Sequence, residues 1–182
     1  MQRIHSVTNP EGKAKVLLDN VRQTMGATPN FFTAFANAPA ALESYLGFNK
    51  ALSGGKLDSK LREQLAVMVA GFNGCDYCAS AHTFLGNKTG VDSTELQANL
   101  EGRSLDRKTQ AALSFAMALM ETRGQVSDET LRAIKFAGFT DEEVIEILAH
   151  VALNTFSNYF NQTAQTNIDF PVVSTRNVRK VA

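Results

Sequence analysis

The sequence predicts an all-α protein, and three features carry that expectation. Apolar residues recur at helical spacing through most of the chain. Ser, Thr and Asp stand at the heads of these segments, and glycines follow their ends. Alternating runs of the kind that build strands are nearly absent.

Taken in order, Glu11 to Met25 places Val16, Leu17, Val21 and Met25 on one side, and Gly26 ends the helix. Pro29 opens a short apolar helix through Phe31, Phe32 and Phe35. Pro39 suits the first turn of the next, which carries Leu42, Tyr45, Leu46 and Phe48 up to Gly54-Gly55. Asp58 or Ser59 caps a helix through Leu61, Leu65 and Val69, and Gly71-Phe-Asn-Gly74 is expected to interrupt it. A new helix begins at or near Cys75 and runs to about Leu85, closed by Gly86-Asn87 and Gly90. Asp92 with Glu95 reads as a capping box for a short helix ending near Gly102. Asp106 to Glu121 forms a long amphipathic helix, and Ser127 caps another that ends at Gly138. Thr140 with Glu143 caps the longest, and Pro171 and a polar tail end the ordered part.

The 182 residues suit one domain. Within it we expect N-terminal helices over 11–54, a core over 57–90, C-terminal helices over 105–165 and a tail over 166–182. Eighteen basic residues balance eighteen acidic ones, so nothing electrostatic calls for nucleic acid or an anionic membrane. The basic cluster Arg176 to Lys180 reads as a solvated tail. The N-terminus lacks a secretory pattern, and the longest apolar run, Leu65 to Phe72, is too short to span a bilayer. These features point to the cytoplasm, where thiols stay reduced unless they do redox work.

The chemistry concentrates at Cys75-Asp-Tyr-Cys78. The chain has only two cysteines, and random placement gives this spacing roughly one time in a hundred. One turn of helix brings their Cα atoms within disulfide range, at the positive end of the helix dipole, which favours thiolate. His82 stands four residues beyond Cys78, the spacing at which helical side chains touch. It suits a base, or an imidazolium that stabilises the Cys78 thiolate. Glu63 lies on the preceding helix, which the glycine break can fold back beside His82, to orient or deprotonate it. Dipole and exposure favour Cys75 as first nucleophile, whereas the His82 spacing favours Cys78.

Several plainer readings compete with this one. Two Cys, one His and one Glu have the right chemistry for zinc, but three of them on one straight helix wrap a tetrahedron poorly. The cysteines also suit inert core filling, and no βαβ pattern supports a thioredoxin-type fold. Tyr77 fits either the wall of a pocket near the thiols or simple packing. His150, among Ile147, Leu148 and Val151, reads as structural. Asn154, Asn158 and Asn161 recur along the last helix as a polar seam, read as helix or subunit contact before pocket lining. Phe31, Phe32 and Phe35 read as core or interface.

Glu63, eleven intervening residues, then Cys75-x-x-Cys78-x-x-x-His82 resembles the signature of the AhpD-like alkylhydroperoxidases, in the carboxymuconolactone decarboxylase superfamily. Pro29-Asn-Phe-Phe, Arg62-Glu63 and Asp169-Phe-Pro171 are similar to its peroxidase-related branch. The resemblance implies an AhpD-like helical fold in trimers or hexamers, reducing a hydroperoxide without metal, haem or flavin. By that resemblance Cys78 attacks peroxide and becomes a sulfenic acid, and Cys75 resolves it as a disulfide. An external dithiol or redox protein reduces that disulfide, and Glu63 and His82 form the proton relay. Tyr77 departs from the pattern, since the best-known hydroperoxidase has a second histidine there, and it implies a simpler relay. The same sulfurs also suit a thiol–disulfide oxidoreductase acting on a partner disulfide, or a redox-sensing module without turnover.

Overall fold

A computed structural model describes residues 1–176, so the basic cluster, apart from Arg176, lies outside the described residues. Nine helices and no strand are present among them. They are α1 (Gly12–Met25), α2 (Asn30–Phe35), α3 (Pro39–Ser53), α4 (Ser59–Asn73), α5 (Asp76–Lys88), α6 (Ser93–Leu100), α7 (Arg107–Glu121), α8 (Asp128–Phe136) and α9 (Asp141–Ala164).

The capping chemistry explains most boundaries. Asp58, Asp92, Asp106, Ser127 and Thr140 each accept a backbone N–H from the first turn of the following helix. Thr140 and Glu143 form the reciprocal capping box expected for α9. Asp92 and Glu95 do not. The Glu95 carboxylate instead accepts bonds from Gln64, Asn99 and Ser104, tying α6 to α4 and to the loop beyond it.

Helix α4 is the axis of the molecule. Its residues from Gln64 to Gly71 are all buried, so it is covered on every side rather than along one stripe. Val67 and Ala70 join a core with α1, α2, α3 and α5. Leu65, Met68 and Val69 join a second core with Leu113, Phe115, Ile134 and Ile147.

Two expected breaks are not breaks. Gly71 lies inside α4, where a Cβ would collide with the Leu100 carbonyl, so its role is close approach of α6. Gly86 lies inside α5, where a Cβ would meet the Leu96 side chain at 2.8 Å, and the helix continues to Lys88. The turn between α4 and α5 uses Gly74 alone, in the left-handed region at φ 73°.

The chain also does not end its ordered course at Pro171. Val173 donates its N–H to Ser80 Oγ at 2.9 Å, and Thr175 bonds Asp76 Oδ1 through its N–H and hydroxyl. The last described segment therefore lies along α5, the cysteine helix. No described helix is long and apolar enough to cross a membrane.

Candidate active site

The tight turn at Gly74 places Cys75 as the N-cap of α5, in extended conformation. Cys75 is thus outside the helical stripe, but its sulfur still sits at the positive end of the helix. The sulfur accepts the Cys78 backbone N–H at 3.3 Å, the position a Ser or Asp cap would fill. The two Cα atoms are 5.3 Å apart, and the sulfurs lie in disulfide contact. Helix α9 fixes the turn from behind, with Asn158 bonding the Asn73 side chain and Gln162 donating to the Asn73 carbonyl.

Glu63 on α4 and His82 on α5 meet across the helix pair, with Glu63 Oε2 at 2.8 Å from His82 Nδ1. A carboxylate only accepts, so Nδ1 carries the hydrogen and Nε2 is the acceptor of the neutral ring. Each side chain is about one-fifth exposed, so the pair is reachable by solvent. No hydrogen bond among the described residues joins His82 to either sulfur; the ring and Cys78 meet as lining of one cavity.

That cavity, about 70 Å³, is walled mainly by Phe31, Phe32, Tyr45, Leu85 and Phe170, with Cys78, His82, Ser157 and Asn161 among its polar points. Both cysteines are almost fully buried, Cys75 at 1% and Cys78 at 2% exposure, so the exposure expected to favour Cys75 is absent. Of the two, Cys78 lines the cavity. Asn161 donates its amide N–H to Cys78 Sγ at 3.4 Å.

Tyr77 lines the cavity, and its hydroxyl is already engaged. It donates to Asp169 Oδ1 at 2.8 Å and accepts the Phe31 N–H at 3.0 Å. Burial, and then the Asp169 charge, push its pKa far above the ordinary phenol value, so it stays protonated. Burial, then the negative charge of Glu63, push Tyr45 up to about 12. Asp169 also accepts the Asn30 N–H that opens α2. Phe31 and Phe35 join Tyr45, Phe156 and Phe160 in an aromatic cluster that shares Phe31 and Tyr45 with the cavity wall.

The four chemically singled-out residues, Glu63, Cys75, Cys78 and His82, thus converge, and Tyr77 stands beside them. His150 is buried within electrostatic reach of Glu63 and His82, and its Nε2 has no partner among the described residues. The asparagine seam divides. Asn154 bonds the His150 carbonyl and Asn158 bonds Asn73, as contact residues, while Asn161 reaches the sulfur. Sequence reasoning gave no site role to Tyr45 or Asp169, and for Asn161 it put pocket lining second to helix or subunit contact. The only signal for Asn161 was its place on the inward face of an Asn-rich helix. Among the described residues no three His, Cys, Asp or Glu side chains are grouped to hold a metal ion.

The all-helical fold is AhpD-like. Residues 39–104 match the carboxymuconolactone decarboxylase family. The matched stretch runs from α3 through α6 and takes in Glu63, both cysteines and His82. Among solved structures, an uncharacterized peroxidase-related protein with an AhpD core from Ralstonia eutropha JMP134 is similar at 23% identity and TM-score 0.79, over 93% of this chain and 94% of that one. A peroxidase-related protein from Silicibacter sp. TM1040 is similar at 18% identity and TM-score 0.78, over 90% and 91%. The debrominase Bmp8 is similar at 21% identity and TM-score 0.77, over 91% of each chain. No curated protein matches.

Proposed function

We propose that this chain is a cysteine-based hydroperoxide reductase. The observation that carries the reading is Cys78 on the cavity wall with a second sulfur beside it and a carboxylate-oriented histidine lining the same cavity. In the proposed cycle the Cys78 thiolate attacks the distal peroxide oxygen, forming S–O and breaking O–O. His82, protonated and held by Glu63, gives the departing alkoxide its proton and releases an alcohol. The Cys75 thiol then displaces water from the Cys78 sulfenic acid, closing the disulfide. An external dithiol or redox protein restores both thiols by exchange. This cycle belongs to a reducing compartment, the cytoplasm in our reading. We add a homo-oligomer, supported by the exposed Phe48 on α3 and Ile145, Leu148, Phe156 and Tyr159 on α9.

A second reading has one observation of its own. The aromatic wall of Phe31, Phe32, Tyr45, Tyr77 and Phe170 suits a small flat ring, and a cysteine-to-alanine variant of Bmp8 has been solved with 2,3,4-tribromopyrrole. Reductive removal of bromine by the same dithiol would oxidise the pair equally. Exchange with a partner disulfide is less well supported, because the buried sulfurs face a small cavity rather than an open surface.

The test is steady-state consumption of cumene hydroperoxide with dithiothreitol as reductant. We expect Cys78→Ser and Cys75→Ser to lose at least about 10²-fold in turnover. Wild-type turnover no faster than that of Cys78→Ser rejects the reading. Bromide release from a bromopyrrole without peroxide turnover favours the second.

A further inference from the structure

We propose that Asn161 is a catalytic residue of this site, holding the Cys78 thiolate with Nδ2 and receiving the hydroperoxide O–H with Oδ1. The proposal rests on the hydroperoxide reading for its second half only.

Three observations carry it. Asn161 lines the cavity and is only 4% exposed, and its Nδ2 reaches Cys78 Sγ. Its Oδ1 is buried and has no partner among the described residues. The neighbouring turns of α9 are pinned to Asn73 by Asn158 and Gln162, so the amide is held in register with the cysteine turn.

A neutral amide suits this position. Its N–H stabilises an anionic sulfur through a charge-assisted bond, and it brings no counter-charge to the buried wall. A buried carbonyl oxygen left unpaired is costly, and a ligand O–H relieves that cost. Two hydroxyls at the cavity wall are engaged elsewhere. Tyr77 Oη donates to Asp169, and Ser157 Oγ donates to the Asn154 carbonyl. An alkyl hydroperoxide carries its single O–H on the distal oxygen, the atom the thiolate attacks. A bond from that O–H to Oδ1 aims the O–O axis at sulfur, which is the gain in orientation a rigid site offers. When S–O forms and O–O breaks, the same hydrogen becomes the sulfenic O–H and keeps the same acceptor. The departing alkoxide takes its proton from His82, so no proton passes through Asn161.

The experiment uses full-length protein in a Cys75→Ser background, where oxidation stops at Cys78. Two rates are followed against pH: alkylation by iodoacetamide and oxidation by cumene hydroperoxide. We expect Asn161→Leu to raise the Cys78 thiol pKa by about one unit. At pH high enough for full ionisation, we expect peroxide oxidation to slow by about tenfold while alkylation stays near wild type. Asn161→Asp, which keeps an acceptor but puts a negative charge beside sulfur, raises the thiol pKa further. It also retains more of the peroxide rate than Asn161→Leu. A folded Asn161→Leu protein with thiol pKa and both rates within about twofold of its parent overturns the proposal. Should Asn161→Leu not fold, an unchanged thiol pKa in Asn161→Asp overturns it alone. If the parent ignores peroxide, the hydroperoxide reading fails and takes the Oδ1 role with it. The alkylation arm then still decides the thiolate role.

Discussion

At the scale of single residues, burial decides protonation. His150 on α9 is 5% exposed, and burial, then the nearby Arg62 charge, depress its pKa from 6.5 to about 4. Glu146, Glu63 and His82 are the other charged or titratable groups that act on it. The folded protein therefore binds fewer protons than the unfolded chain between those two values, and stability falls as pH drops through 6.5. From pH 7 to pH 5 this one group costs about 2 kcal/mol. Urea denaturation at both pH values checks it. The His150→Leu variant loses that part of the pH dependence, and an unchanged difference between the two pH values contradicts the assignment.

The residues that were legible from sequence are those whose partners are close in the chain or fixed by spacing. Cys75, Cys78 and His82 fall within eight residues, and Glu63 is one helix away. Asn161 meets Cys78 across 83 positions, and Tyr77 meets Asp169 across 92. Asparagine on an apolar helix bonds its own backbone as readily as a distant side chain, so its type carries no address. Asn154, which bonds the carbonyl four residues back, behaves in the first way, and Asn161 in the second.

At the scale of elements, caps were read more reliably than glycines. Ser127 and Thr140 cap where expected, and of Asp58 and Ser59 it is Asp58 that caps, because a cap is local chemistry between neighbouring residues. Glycine has two uses that look alike in sequence: it ends helices, or it lets another backbone come close. Gly74 does the first. Gly71 and Gly86 do the second, and nothing within a few residues of them reports the loop or side chain that presses against them.

Gly71→Ala therefore acts through packing and not through helix propensity, which on its own would favour alanine. A Cβ there collides with the Leu100 carbonyl at the end of α6, where backbone and not a flexible tip must move. We expect a loss of about 1–3 kcal/mol in urea denaturation. A change below about 0.5 kcal/mol would show that α6 yields freely.

At the scale of the whole molecule, the site is a meeting of distant segments. Helix α4 supplies Glu63 and, through Gly74, the turn that aims Cys75. Helix α5 supplies Cys78 and His82, and α9 supplies Asn161. Asp169 clasps Tyr77 and the head of α2 together, which sets Phe31 and Phe170 in the cavity wall. The segment through Thr175 then lies over the start of α5, occupying the Asp76 carboxylate.

Cys78 as the attacking sulfur and Cys75 as its resolver stand at the centre of the proposed chemistry. Mass spectrometry of the two single-serine variants after brief exposure to one equivalent of hydroperoxide tests this most directly. Cys75→Ser should gain one oxygen at Cys78, while Cys78→Ser should leave Cys75 unmodified over the same interval. Oxygen appearing on Cys75 in Cys78→Ser as fast as on Cys78 in Cys75→Ser would contradict this assignment of roles.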